Sequence, residues 1–172
     1  MCSGAAKVLA QRLKKEHNPT PDYIKKVLTQ AQKPCVLQKE VHKLVEKEPS
    51  AFPTQVLLSE VNNAGYHRKS AAEELGTRLS QDEEKRYHAE IIKVLLKTTE
   101  SSGHVGAAAA QILVQHLAKV DIESSDFQKV RKVTSETAKT EIAKAIKQDT
   151  SKLSSKKLLD LGQHIGVGAV TD

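Results

Sequence analysis

Aromatic residues are few: Tyr23, Tyr66, Tyr87, Phe52 and Phe127 are the five among 172 positions, and tryptophan is missing. Aliphatic side chains must therefore fill the core, and a bound nucleic acid would find few rings on which to stack its bases. Cysteine is also scarce, and Cys2 and Cys35 cannot make a disulfide framework. No apolar run approaches the ~20 residues that cross a bilayer, which excludes membrane insertion by a helix. No apolar stretch follows Met1 as a secretory signal would require, so the expected location is intracellular and cytoplasmic. The basic start, with Lys7, Arg12, Lys14 and Lys15 and no acid before Glu16, has the outline of a weak organelle-targeting segment. An ordinary basic first helix is the plainer reading.

Strand patterns are missing as well. Apolar and polar residues do not alternate over any useful length, and β-branched residues are mixed with Lys, Glu, Gln and Ala, which favour helix. A content of 38 % apolar residues is enough for a core and argues against a disordered chain. The expected fold is all-α, an irregular bundle or stack of antiparallel helical hairpins with about seven to nine helices. Residues 1–161 are expected to form one helical domain, followed by a Gly-rich apolar arm or disordered tail over 162–172.

Helix punctuation supports this division. A first helix over 4–17, with Val8, Leu9 and Leu13 inward, is ended by His17-Asn18-Pro19. Thr20 and Pro21 suit the cap and first turn of a second helix, which Pro34 stops. A third runs over 35–47 with Val36, Leu37, Val41, Leu44 and Val45 inward, and a fourth follows Pro53 and carries Val56, Leu57 and Val61. A fifth over 67–79 buries Ala71, Ala72, Leu75 and Leu79, and Gly76 should cost it some stability. Ser80-Gln81-Asp82-Glu83 has the form of a capping box for a helix reaching Thr99. Ser101-Ser102-Gly103 then separates this helix from an Ala-rich one ending near Lys119. A polar helix opens at Ser125 or Asp126 and runs through Ile146 with a break near Thr134–Thr137, and a last one runs from Ser154 to Gly162.

Phe52 to Leu79, FPTQVLLSEVNNAGYHRKSAAEELGTRL, resembles one unit of a pentatricopeptide-type helical repeat in its Asn-Ala-Gly turn and the Ala-Ala-x-x-Leu that follows. The resemblance covers about a sixth of the chain and implies a helical-hairpin array that binds RNA or protein. The other hairpins lack the matching turn, and Lys26-Val27-Leu28, Gln55-Val56-Leu57 and Lys93-Val94-Leu95 recur at unequal offsets, which favours an irregular stack.

No nucleophile elbow, P-loop, dinucleotide glycine pattern, H-E-x-x-H or paired C-x-x-C occurs. His42 and Glu46, four apart on one helix face, read as a surface pair. His116 reads as a partly buried histidine with its polar tip toward solvent or a backbone carbonyl. Gly103-His104-Val105-Gly106 has the G-x-x-G spacing that clamps nucleic-acid backbones in KH domains, but without strands or basic residues in the loop it reads as a helix-to-helix turn. No catalytic residue, metal ligand or cofactor follows from these patterns.

Charge gives the remaining lead. The formal net charge of +6 divides into +5 over residues 1–49, −1 over 50–121 and +2 over 122–172. Lys14, Lys15, Lys25, Lys26, Lys33, Lys39, Lys43 and Lys47 are the candidate residues for a nucleic acid or another anionic partner, and Arg131-Lys132 with Lys156-Lys157 suggest a second patch. Lysine outnumbers arginine, so contact would be with the phosphate backbone and not with base edges. The expected function is a non-catalytic protein-binding or assembly module with a protein partner. The alternative is an RNA-binding protein using the N-terminal lysines.

Overall fold

A computed structural model describes residues 2–16, 19–30, 34–62, 68–101 and 103–166, which are all-α with no strand among them. They contain ten α-helices and three short 3-10 turns. The chain divides into two compact units, Met1–Leu75 and Gly76–Asp172.

The first unit holds α1 (Cys2–Lys15), α2 (Pro21–Gln30), α3 (Pro34–Lys47), α4 (Thr54–Asn62) and most of α5 (Arg68–Arg78). Helix α2 starts as its sequence predicts, with the Thr20 hydroxyl accepting the backbone N–H of Tyr23 at 3.2 Å. Helix α3 packs on α1 and α2, and α2 also packs on α4. The inward face of α1 differs from the expected one. Ala6, Ala10 and Leu13 are buried, Leu9 is half-buried, and Val8 points outward. The small stripe at i, i+4 and i+7 has the same helical period as the larger side chains and allows a closer approach of α1 to α3. Phe52 follows a 3-10 turn at Pro49–Ala51 and is fully enclosed, as are Leu37 and Leu57.

The second unit holds α6 (His88–Thr99), α7 (His104–Lys119), α8 (Ser125–Arg131), α9 (Glu136–Gln148) and α10 (Ser155–Ile165). Helix α7 packs along α6 on one side and α9 on another, while α8 touches α6, α7 and α10. Leu113, Leu117, Phe127, Ile142 and Ile146 are among the fully buried side chains. The polar stretch expected as one broken helix is two, because Ser135 caps α9 by accepting the N–H of Ala138 at 3.4 Å. Ser124, one residue before the expected start, caps α8 through the N–H of Phe127 at 3.1 Å.

Two local expectations change. The Ser80 capping box does not form: residues Asp82–Tyr87 are a 3-10 turn whose N-cap is Gln81, and the Ser80 hydroxyl instead accepts a bond from Lys119 Nζ at 3.0 Å. Helix α10 does not stop at Gly162, since one glycine costs only about 1 kcal/mol and the burial of Leu161 and Ile165 on the same face favours continuation. It ends at Gly166, in the left-handed conformation with φ +71°. The rest of the expected C-terminal arm, 167–172, lies outside the described residues.

Candidate functional site

The basic surface expected over α1 to α3 is cut up by local pairing. Lys14, half-buried, forms an ion pair with Glu48 and holds the Glu48 carboxyl below its ordinary range, with Lys47 adding to the effect. Lys43 pairs with Glu40 at 3.3 Å on α3. Lys15, Lys26, Lys39 and Lys47 are exposed. Lys33 and the side chain of Lys25 lie outside the described residues. Arg131 and Lys157, assigned to a second patch, also face inward partners. Arg131 contacts Asp160 at 3.4 Å, and the Lys157 ammonium donates to the Leu117 and Ala118 carbonyls at 2.8 and 2.9 Å, closing the C-terminus of α7.

What the fold does bring together is an outward face of α1. Lys7, Val8, Gln11, Arg12 and Lys15 line a shallow depression of about 280 Å³. These positions lie on one side of the helix, opposite Ala6, Ala10 and Leu13. Val8 is 56 % exposed at the centre of a rim of cations, and α1 contains no acidic residue. Tyr23 and Leu159 are the other large apolar side chains left exposed among the described residues. The sequence already placed Lys7 and Arg12 in a basic first helix, but the assumption that Val8 faced inward concealed the combination.

Two clusters of ionisable groups lie deeper. His42 reaches beyond its own helix. Its Nδ1 meets the carboxylate of Glu60 on α4, which is only 4 % exposed, and this bond raises the imidazole above its ordinary pKa against the opposing effect of burial. Helix-face spacing could not show this contact, because it depends on how α3 packs near α4.

In the second unit, Asp126 on α8 reaches His116 Nε2 on α7 at 3.0 Å and His88 Nδ1 on α6 at 3.9 Å. The two imidazole rings meet edge to face, 6.0 Å between centroids. His116 therefore directs its polar edge neither to solvent nor to a carbonyl but to a carboxylate that the sequence places ten residues away. Burial lowers its pKa, outweighing the opposing influence of Asp126. His88 Nε2 is buried without a hydrogen-bond partner. No group of three or more His, Cys, Asp or Glu among the described residues is placed to hold a metal ion. A polar groove of about 260 Å³ lies between α7 and α9, lined by Gln111, Gln115, Gln148, Asp149 and Lys152 among others. Its amides bond to each other, Gln111 Nε2 to Gln148 Oε1 at 2.8 Å, and Asp149 is paired with Lys152 at 2.6 Å.

The G-x-x-G segment has a structural explanation. Gly103 has φ +91°, and a Cβ at Gly106 would lie 2.1 Å from the Ser101 carbonyl oxygen. Both glycines serve the tight passage from α6 to α7. No helix among the described residues is long and apolar enough to cross a membrane. Comparison with protein-family models, curated proteins and solved structures finds no match to this chain.

Proposed function

We propose that this protein is a non-catalytic helical module that binds another protein, with the outward face of α1 as its docking surface. The observation that carries the reading is the exposed Val8 set among Lys7, Arg12 and Lys15. A central apolar side chain framed by long basic ones suits a partner segment that presents an apolar residue beside Asp or Glu. The aliphatic stems of the lysines and arginine add apolar area while their charged heads favour the acidic rim. The pairs His42–Glu60 and His116–Asp126 each join neighbouring helices, which suits a structural role for these groups.

RNA binding through the lysine surface is the alternative. It gains from the exposed Lys39 and Lys47 and loses from the pairing of Lys14 and Lys43. The two readings separate in affinity purification from the native source with and without nuclease. The protein-docking reading predicts a co-purifying protein that survives nuclease and is lost with Val8→Asp or with Lys7→Glu/Arg12→Glu. Loss of every partner on nuclease treatment, or a partner retained by both variants, would overturn it.

A further inference from the structure

The depression on α1 has the geometry of a socket for a helix. Val8, Gln11, Arg12 and Lys15 stand at positions i, i+3, i+4 and i+7, and four side chains in that arrangement form the hole that receives one side chain from a facing helix. Lys7 stands on its rim. In the seven-residue repeat of packed helices, Val8 and Gln11 take the two seam positions, Lys7 and Arg12 flank them, and Lys15 returns to the seam. A β-branched residue at the first seam position suits such packing, and a lysine at the equivalent position one repeat later fixes the register. Lys14, at the next flanking position, is paired with Glu48, so the flanking charges of this face are Lys7 and Arg12.

A helix fits this socket better than an extended segment does. An extended chain laid on α1 would press unpaired backbone N–H and C=O groups against Val8 and the aliphatic stems of its neighbours, and the described residues contain no strand whose edge could pair with them. A helix satisfies its own backbone and brings its side chains to the hole at the same spacing as α1. Charge sets the rest. Helix α1 contains no acidic residue, and Lys7 and Arg12 flank the seam on its two sides. A facing helix with Asp or Glu at its own flanking positions is therefore attracted, and one with Lys or Arg there is repelled.

We infer that the occupant of the α1 face is an acidic amphipathic helix of another protein, which inserts an aliphatic side chain between Val8, Gln11, Arg12 and Lys15 and sets its acids against Lys7 and Arg12. The inference rests on the docking reading above and adds the partner's secondary structure and charge pattern. One such hole is a small contact, so a partner whose own fold already holds this helix in shape binds better than a free segment that must first become helical.

The test uses the whole chain and synthetic peptides of about 21 residues, with leucine at the seam positions of every heptad. One peptide carries Glu at the flanking positions, one carries Lys there, and one is the Glu peptide with a proline at its centre. The Glu peptide should bind and protect Lys7 and Lys15 from a lysine-reactive reagent. The proline peptide, of equal charge, should bind at least about tenfold more weakly. Lys7→Glu/Arg12→Glu should exchange the preference, losing the Glu peptide and gaining the Lys peptide, with circular dichroism checking that the variant stays helical. Val8→Asp, at an exposed position, should lose the Glu peptide as well. Equal binding of the Glu and proline peptides would overturn the helical partner while leaving docking on α1 in place. No binding of the Glu peptide, binding that neither variant changes, or protection of Lys7 and Lys15 by phosphatidylserine vesicles alone would overturn it too. The docking reading itself fails by a different result, a co-purified partner that both face variants retain.

Discussion

Gly106 shows how tightly the chain turns from α6 into α7. A methyl group there would meet a backbone oxygen, which cannot rotate away, so Gly106→Ala should destabilise the protein by about 1–3 kcal/mol in urea unfolding. Gly76 presents a softer case. From sequence it reads only as a weak point in a helix, but an added Cβ would lie 2.5 Å from Cγ2 of Ile112, so the glycine lets α7 come close. Gly76→Ala should therefore be destabilising in the wild-type background and less so beside Ile112→Ala, and a double-mutant cycle measures that relief. The composition of Gly103-x-x-Gly106 marks a turn between helices. The close approach at Gly76 leaves no such mark, because it involves a residue on another helix. The same holds for His42 and Glu60 and for His116 and Asp126, whose pairings follow from packing and not from spacing along a helix.

Capping separates the elements that local chemistry defines from those that packing defines. Ser124, Ser135 and Ser154 each accept a backbone N–H three residues on, so Ser135→Ala should cost about 1 kcal/mol of stability. Ser80, despite its capping-box sequence, makes an exposed bond to Lys119, and Ser80→Ala should stay within about 0.5 kcal/mol. Thermal denaturation of the two variants side by side checks the contrast. Most helices were legible because Pro, Gly and Ser mark their ends and because Leu, Ile and Val recur at helical spacing. Helix α1 was legible as a helix but was turned the wrong way, since hydrophobicity ranks Val8 above Ala6 and Ala10 whereas close packing favours the small pair.

Across the whole molecule the two units carry histidines of opposite pH response. The folded-state pKa of His42 lies above its unfolded value, so its pair with Glu60 stabilises fully below about pH 6.5 and is lost as pH rises through the folded value. For His116 the sign reverses, and its contribution is lost as pH falls below about 6.5. Amides of α3 and α4 should thus lose protection on the alkaline side, and His42→Gln should remove that slope. Alkaline loss that persists in the variant would contradict the assignment to His42. The candidate docking face was half-legible: charge counting located the basic first helix, but only the fold sets Val8 outward among Lys7, Arg12 and Lys15. The most direct measurement is lysine-reactive footprinting of the chain in nuclease-treated native extract against the purified chain. Docking on α1 predicts that Lys7 and Lys15 become protected while the exposed Lys132 and Lys144 react as before. Unchanged reactivity at Lys7 and Lys15 with a protein partner bound would contradict it.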